Sequence, residues 1–292
     1  MSQKKIVFIV NPKSGTERQK EIGKAVAAHL NGSLYTHEIL NTQYAGHGAE
    51  LARHAATNGA HAVVAVGGDG SVNEIARGLE GTNCLLGIIP KGSGNGISRT
   101  LGIPLGVAEA VKVISAGKSK AIDIGYANER LFVSNAGVAF DALISQKFAT
   151  SHKRGFLVYS WLVAKHLWQY KSRDYTIVAD GKELLERAFM VNVANGKHFG
   201  YSFRIAPMAD CTDGKLELII VRGFPKILGG LIAMRAMLGD ITTSRYVRHQ
   251  TCSTITISHP DLNVMQVDGD ALPCTNSITF HVKRQAQRIL VP

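Results

Sequence analysis

Three short segments near the amino terminus combine glycine, small polar residues and a lysine or an acid, the residue types that hold phosphate. They are Asn11-Pro12-Lys13-Ser14-Gly15, Gly67-Gly68-Asp69-Gly70-Ser71-Val72-Asn73-Glu74 and Pro90-Lys91-Gly92-Ser93-Gly94-Asn95-Gly96. Glycine amides can approach anionic oxygens closely, and a helix beginning near Ser71 adds a favourable field. Lys13 and Lys91 can supply point charges, and Asp69 stands among the glycines of the second segment. Each segment alone reads equally well as a strand-to-helix turn. Three at successive strand ends point to a shared ligand, because a parallel α/β sheet binds ligands beyond the carboxyl ends of its strands. Neither G-x-G-x-x-G nor G-x-x-x-x-G-K-[ST] occurs, so ordinary dinucleotide binding and P-loop chemistry lose their main support.

Two further groups of carboxylates stand apart from these loops. Asp268 and Asp270 flank Gly269. In an extended segment residues two apart share a face, so both could point at one substrate, while the bland alternative is a hairpin turn. Asp210-Cys211-Thr212-Asp213-Gly214-Lys215 offers two carboxylates around a turn; oxygen ligands would suit magnesium or calcium, and a plain β-turn accounts for the same residues. The eleven histidines show neither H-E-x-x-H nor a zinc spacing.

The elements that must position these groups fall into two textures. Ile6–Val10, Ser33–Ile39, His61–Val66 and Leu85–Ile89 read as strands. They alternate with helices at Glu17–Leu30, Gly46–Asn58, Ser71–Leu79 and Val107–Ala116, the pattern of a parallel sheet covered on both faces. After about Asp123 the segments Leu131–Asn135, Tyr175–Ala179, Phe189–Ala194, Leu216–Val221, Thr254–Ser258, Val264–Val267 and Ser277–Val282 read as strands of an antiparallel sandwich or barrel. Helices near 155–170 and 224–238 interrupt them. The expected division is an α/β domain over 1–122, to which the apolar tail within 283–292 returns, and a β domain over 123–282. With 292 residues, two domains are the better prior.

Composition narrows the partners. Thirty-three Lys and Arg against twenty-two Asp and Glu give a net charge of +11, which favours anionic surfaces. No helix-turn-helix, zinc-finger or RNP-type pattern supports nucleic acid. The four cysteines form no framework and Met1–Lys5 carries no leader signature, so a cytoplasmic protein is expected. No apolar run reaches the roughly 18 residues of a spanning helix. On a helix over Gly155–Tyr170 the residues Leu157, Trp161, Ala164 and Trp168 form one stripe. The stripe reads first as core or inter-domain packing and, more sharply, as a face for acyl chains with Lys153, Arg154 and Lys165 near lipid phosphates. Arg245, Arg248 and His249 form a second candidate basic patch, with a solvated strand face as the alternative.

Taken in order, the motifs resemble the diacylglycerol kinase catalytic-domain superfamily, which includes bacterial lipid kinases, sphingosine kinases and ceramide kinases. Asn11–Gly15 resembles its N-P-x-[SA]-G, Gly67–Glu74 its G-G-D-G-T-x-x-E with Ser71 for Thr, and Pro90–Pro104 its P-x-G-[TS]-x-N-…-L-G-I-P. Asn135–Asp141 resembles N-x-x-G-x-G-F-D, Asn195–Gly200 resembles N-G-x-x-F-G, Ala206-Pro207 resembles A-P, Asp213-Gly214 resembles D-G-x-L, and Asp268–Asp270 resembles D-G-E. The resemblance implies an N-terminal α/β domain, a C-terminal β-sandwich and ATP in the inter-domain cleft. Asn11, Gly67, Gly68, Asp69, Gly70, Ser71, Val72, Asn73 and Ser93 would line the triphosphate, with Thr42 near the nucleotide. Asp69 would act on the Mg2+ that accompanies ATP. Asp270 would be the base, with Asp268 the runner-up, and a structural magnesium would use Asp213 and the carbonyls of Asp210 and Lys215. The activity implied is γ-phosphate transfer from ATP to a hydroxyl of a diacylglycerol-like or sphingoid lipid, by an enzyme transiently peripheral to an anionic membrane.

Two departures bear on substrate and base. Gly96 follows Asn95 where many bacterial diacylglycerol kinases have Asp, and Asp270 replaces the family's Glu. The rival readings are an NAD kinase-like enzyme, which shares G-G-D-G, and a nucleotide- or lipid-binding protein that has lost catalysis.

Overall fold

The computed structural model describes residues 3–12, 16–151, 155–200 and 203–292. The chain divides into two compact units, Met1–Ile122 with Gln285–Pro292, and Asp123–Arg284.

The first unit alternates β1 (Lys4–Val10), α1 (Thr16–His29), β2 (Tyr35–Asn41), α2 (His47–Thr57), β3 (Ala62–Gly67), α3 (Asp69–Leu79) and β4 (Leu85–Pro90). The short α4 (Gly96–Thr100) and then α5 (Val107–Ala116) follow. The strands pair in parallel in the order β4-β3-β1-β2. The apolar runs of β3 and β4 are buried along their whole length, as strands covered on both faces must be. Phe8, Val10, Val64 and Ile89 share one core cluster with Ile22 and Val26 of α1 and Val107, Val111 and Ile114 of α5. On α3, Gly78 packs so close to α2 that a Cβ would meet the Ala49 carbonyl and Ala52. The last strand, β15 (Ser277–Leu290), ends beside β4: Ile289 pairs in parallel with Leu86, and Leu290 joins the same core.

The second unit is an antiparallel sandwich built around one long strand. Its elements are β5 (Ser119–Ala127, from Asp123 onward), β6 (Arg130–Phe132), β7 (Asn135–Ala139), α6 (Phe140–Ala149), α7 (Phe156–Leu167), β8 (Arg173–Ala179), β9 (Lys182–Ala194) and β10 (Leu216–Arg222). They continue with α8 (Gly229–Leu238), β11 (Val247–Cys252), β12 (Thr254–Ser258), β13 (Val264–Val267), β14 (Asp270–Pro273) and the first part of β15. The first half of β9 pairs with β8, and its second half lies between β7 and β10. One sheet therefore runs β11-β10-β9-β7-β13-β14 and the other β9-β8-β12-β15 with β5 and β6. Ala136, Val191, Leu218 and Ile220 of the first sheet meet Ile177, Ile255, Ile257 and Phe280 of the second in the sandwich core. The alternate residues of β10, Ile219 and Val221, face a second cluster beneath α6, α7 and α8, with Phe140, Ile144, Leu162, Ile232 and Ala236. Both faces of β10 are thus covered, which is why its sequence is apolar at nearly every position rather than alternating.

Helices α4 and α6, strands β5, β11 and β14, and one division differ from the sequence reading. The stretch Leu131–Asn135, expected as one strand, splits into β6 and the start of β7. Helix α6 follows β7 at once, through Ala139 in a left-handed conformation at φ 80, and lies where the motif gave no helical period. Helix α4 has only five residues, too few to show periodicity.

Candidate functional site

The three glycine segments converge in the first unit. Asn11 follows β1, and its Nδ2 donates to Ser71 Oγ at 3.5 Å. Its backbone N–H reaches the Val66 carbonyl at 3.2 Å, and the Lys91 N–H reaches the Gly67 carbonyl at 2.8 Å. These bonds tie the ends of β1, β3 and β4 together. Gly68 and Gly92 then meet backbone against backbone, so that a Cβ on Gly92 would run into Gly68. That contact explains both glycines by space rather than by flexibility. Gly92 is further held by Asn95, whose Oδ1 accepts the Gly92 N–H at 3.0 Å and whose Nδ2 donates to the Gly92 carbonyl at 2.8 Å.

Asp69 opens α3, with Gly68 as the extended N-cap, so the first-turn amides at 69–71 lie in the positive end of the helix. The Asp69 carboxylate accepts the Gly96 N–H at 2.7 Å and so joins the second loop to the third. Gly96, the residue after Asn95, thus contributes a backbone donor to Asp69. Glu74 takes another role: its two oxygens accept the Gly46 and Gly48 N–H groups at 2.9 and 3.1 Å and cap the amino end of α2. Thr42 lies in the turn after β2, with its N–H on the Val10 carbonyl at 2.9 Å, next to the end of β1.

Not every expected contributor is available. Val72 is buried in the core, so only its backbone could serve a ligand. Lys91 is bound to Glu21, Nζ to Oε2 at 2.9 Å, which removes it as an independent point charge. Ser93 is exposed at the tip of the third loop, and Asn73 is half-buried on α3. Lys13, Ser14, Gly15, Lys153 and Arg154 lie outside the described residues.

In the second unit, Asp268 and Gly269 form the two-residue loop of the β13–β14 hairpin. Val267 pairs with Asp270 across it, and φ is 47 at Asp268 and 90 at Gly269. Two successive left-handed residues make the mirror-image turn that Asp-Gly favours. The segment is therefore not extended, and the expected sharing of a face by Asp268 and Asp270 fails. Asp268 is 7% exposed, and its oxygens accept the N–H groups of Val133, Ser134 and Asn135 at 2.8, 2.8 and 3.1 Å. Its carboxylate anchors the hairpin to the start of β7. Asp270, the first residue of β14, is exposed.

A buried polar chain lies behind this hairpin. Gln266 Oε1 accepts the Gly269 N–H at 2.9 Å, and Gln266 Nε2 donates to Asn135 Oδ1 at 2.7 Å. Asn192 Nδ2 donates to Asn135 Oδ1 at 3.3 Å and to Asp141 Oδ2 at 3.2 Å. Burial pushes the Asp141 carboxyl up to about 7, against the lowering effect of its hydrogen bonds from Asn192, Ala142 and Gln266. Sequence reading missed Gln266 and Asn192; their one signal was a polar side chain inside an otherwise apolar strand.

The candidate metal turn closes on itself. Asp210 Oδ1 accepts from the Thr212 N–H and hydroxyl at 3.0 and 2.7 Å, and Asp213 Oδ1 accepts the Lys215 N–H at 2.9 Å. The Asp210 carbonyl accepts the Asp213 N–H at 3.3 Å, and the Gly214 N–H goes to the buried Asp123 carboxylate at 2.6 Å. Among the described residues no three metal-ligating side chains gather here or elsewhere. Asp210 Oδ1, Asp213 Oδ1 and the Asp210 carbonyl are thus engaged within the turn itself.

The tryptophan stripe is not core. Leu157, Trp161 and Trp168 are 82%, 58% and 68% exposed. The proposed second basic patch is reduced as well. Arg248 Nη1 and Arg222 Nη2 both donate to Glu186 Oε1, at 2.9 and 2.8 Å, and Arg245 folds over the Tyr246 ring at 4.8 Å.

The first unit is thus a parallel α/β unit with converging glycine turns, and the second an antiparallel sandwich, an architecture whose class rests on comparison with known families. Family models agree: the diacylglycerol kinase catalytic domain matches residues 5–127, and the YegS C-terminal NAD kinase beta sandwich-like domain matches residues 134–291. The chain belongs to the diacylglycerol kinase catalytic-domain superfamily. It is 28% identical to a diacylglycerol kinase of Mycobacterium tuberculosis, over 91% of this chain and 88% of that protein. It is 34% identical to a Chromohalobacter salexigens protein named "Probable lipid kinase YegS-like", over 62% of this chain and 60% of that protein. Among solved structures, a diacylglycerol kinase from Bacillus anthracis shares the fold with a TM-score of 0.75 at 23% identity, covering 100% of this chain and 98% of that one. An NAD kinase from Archaeoglobus fulgidus in complex with ATP shares it with a TM-score of 0.57 at 15% identity, covering 98% of this chain and 93% of that one.

Proposed function

We propose that the protein is an ATP-dependent lipid kinase that phosphorylates a hydroxyl of a diacylglycerol-like or sphingoid lipid at a membrane surface. The observation that carries the reading is the tying of three strand-end loops around Asp69, in a chain of this family. In this reading Asn11, Gly67–Asn73 and Ser93 receive the triphosphate of the substrate MgATP through amides and small polar groups, with Thr42 near the nucleotide. Asp69 would act on the magnesium that accompanies the phosphates. Phosphoryl transfer asks mainly for positioning and charge neutralisation; fixed amides would serve the phosphates, and a fixed carboxylate would hold the magnesium that accompanies them.

Asp270 is the base. As the lipid oxygen forms its bond to the γ-phosphorus, Asp270 accepts the hydroxyl proton, and the bond from phosphorus to the bridging oxygen breaks to release ADP. Asp268 is assigned to the hairpin rather than to proton transfer, because three backbone amides hold its oxygens. The NAD kinase reading keeps only the shared fold and the G-G-D-G loop in its favour.

The deciding assay offers labelled ATP and magnesium with a panel of neutral lipids and sphingoid bases in mixed micelles, and with NAD in parallel. Lipid turnover is expected, and Asp270→Asn is expected to lose on the order of 10²–10⁴ of it with nucleotide affinity retained, the usual share of a positioned base. Asp270→Glu should stay active. Turnover of NAD alone would overturn the assignment, and nucleotide binding without any turnover would favour a binding protein that has lost catalysis.

A further inference from the structure

Helices α7 and α8 pack on one cluster through one side only. Leu162 of α7 and Ile232 and Ala236 of α8 are buried there, with Val158, Val163 and Leu167 packed against them. The two helices meet directly: a Cβ on Gly229, the first residue of α8, would lie 2.7 Å from Leu167 Cδ2. Their opposite sides are apolar as well. On α7, Leu157, Trp161, Ala164 and Trp168 recur at intervals of four, three and four residues and are all exposed. On α8, Leu231, Met234, Met237 and Leu238 are exposed, and Ile227 just before the helix is exposed too. Single exposed apolar residues need no explanation, but two adjoining helices that both present an apolar outer side do.

Charge identifies what covers this side. No Asp or Glu occurs between Asp141 and Asp174, or between Glu217 and Asp240, so neither helix carries an acid; the first one after α8 is Asp240, two residues past its end. Lys165 and Arg235 are the cations within the two helices, and Lys171 follows α7, while Lys226 turns inward over the Phe189 ring at 4.3 Å. Lys165 is exposed, with its Nζ 4.8 Å from the centre of the Trp161 ring. Aromatic rings beside long cationic side chains are the residues of the water–lipid boundary, where stems lie along the apolar layer and charges reach phosphates. A second copy of the chain would bring the same cations against each other, which an apolar interface core disfavours. With 12 and 10 residues, α7 and α8 are about 18 and 15 Å long, far short of a bilayer's roughly 30 Å core, so they can lie only in its surface.

We propose that the outer sides of α7 and α8 form a docking surface that lays the second unit on an anionic lipid bilayer. The inference deepens the lipid-kinase reading and rests on it for the choice of partner.

The chain has two tryptophans, both on this surface, so tryptophan emission under selective excitation reports on this surface alone. Full-length protein is titrated with phosphatidylcholine vesicles with and without phosphatidylglycerol. A blue shift of tryptophan emission and quenching by brominated acyl chains are expected, strongest with phosphatidylglycerol and weakened by salt. Trp161→Glu on α7 and Met234→Glu on α8, each read by vesicle co-sedimentation, should weaken binding by at least about tenfold. Both variants should keep turnover on a short-chain, micelle-free diacylglycerol and lose turnover on bilayer lipid. Unshifted and unquenched emission, or parental binding by both variants, would sink the proposal. So would a parental dimer in sedimentation that Trp161→Glu dissociates, because a second copy would then cover the surface. Vesicle binding with no turnover on any lipid would leave the docking surface standing and remove the kinase reading.

Discussion

At the scale of single residues, the second unit sorts three carboxylates by their surroundings. Asp270 is exposed, Asp268 is spent on three amides, and Asp141 is buried beside Asn192 at the far end of the polar chain. Burial displaces the Asp141 carboxyl from 3.8 up to about 7. The neighbouring Tyr170 and Tyr175 hydroxyls are pushed upward by burial and do not titrate near neutrality. Between about pH 4 and pH 7 the folded chain therefore keeps a proton that the unfolded chain has released, and stability falls as pH rises through that window. About three pH units at about 1.36 kcal/mol each make the effect roughly 4 kcal/mol. Asp141→Asn keeps the shape and removes the titration. Urea unfolding of the variant should be nearly flat across the window, and above pH 7 the variant should be more stable than the parent. An unchanged pH slope would show that Asp141 is not the group responsible.

Secondary structure elements carried the readable part of the site, for identifiable reasons. Clustered glycines between apolar strands mark turns or close approaches, so the loops after β1, β3 and β4 were visible before any fold was known, and Asp268-Gly269 announced a hairpin. The partners of those residues were not visible. Nothing local says that Asp268 holds amides at 133–135, that Gly96 donates to Asp69, or that Lys91 is taken by Glu21, because each bond joins positions far apart in the chain. The stripe on α7 failed for a related reason: an apolar face has the same period whether it meets protein or lipid. The loop-to-loop contact makes its own prediction. Because Gly68 and Gly92 touch through backbone, a methyl group at Gly92 cannot be relieved by a rotamer change. Gly92→Ala should weaken ATP binding, measured by titration calorimetry, by about tenfold or more (about 1.4 kcal/mol) with little change in secondary structure. Gly23→Ala on α1, where a Cβ meets open space, should leave binding unchanged and raise stability by about 0.5–1 kcal/mol. Equal nucleotide affinity for both variants would refute the idea that close loop packing shapes the site.

For the molecule as a whole, the path of the chain matters as much as its composition. The net charge of +11 suits an anionic surface but does not say which face meets it; in the proposed docking that face is the one formed by the acid-free helices α7 and α8. The chain leaves the first unit at Ile122 and returns to it at Gln285, so the last eight residues belong to a core begun almost three hundred residues earlier. Ile289 and Leu290 are buried, Ile289 pairs with Leu86, and the Val291 N–H reaches the Lys118 carbonyl at 3.0 Å. Without this segment β4 would present an unpaired apolar edge. Leu290→Ala should cost about 2–5 kcal/mol, as a large-to-small change in a packed core does. Ending the chain at Arg284 should cost more and weaken nucleotide binding, although no residue assigned to ATP is removed. Hydrogen exchange in the Leu290→Ala variant should show protection falling first in β4 and β3, while β10 and β12 keep theirs. Loss spread evenly over both units would mean that the tail stabilises the chain as one cooperative body rather than completing the first unit.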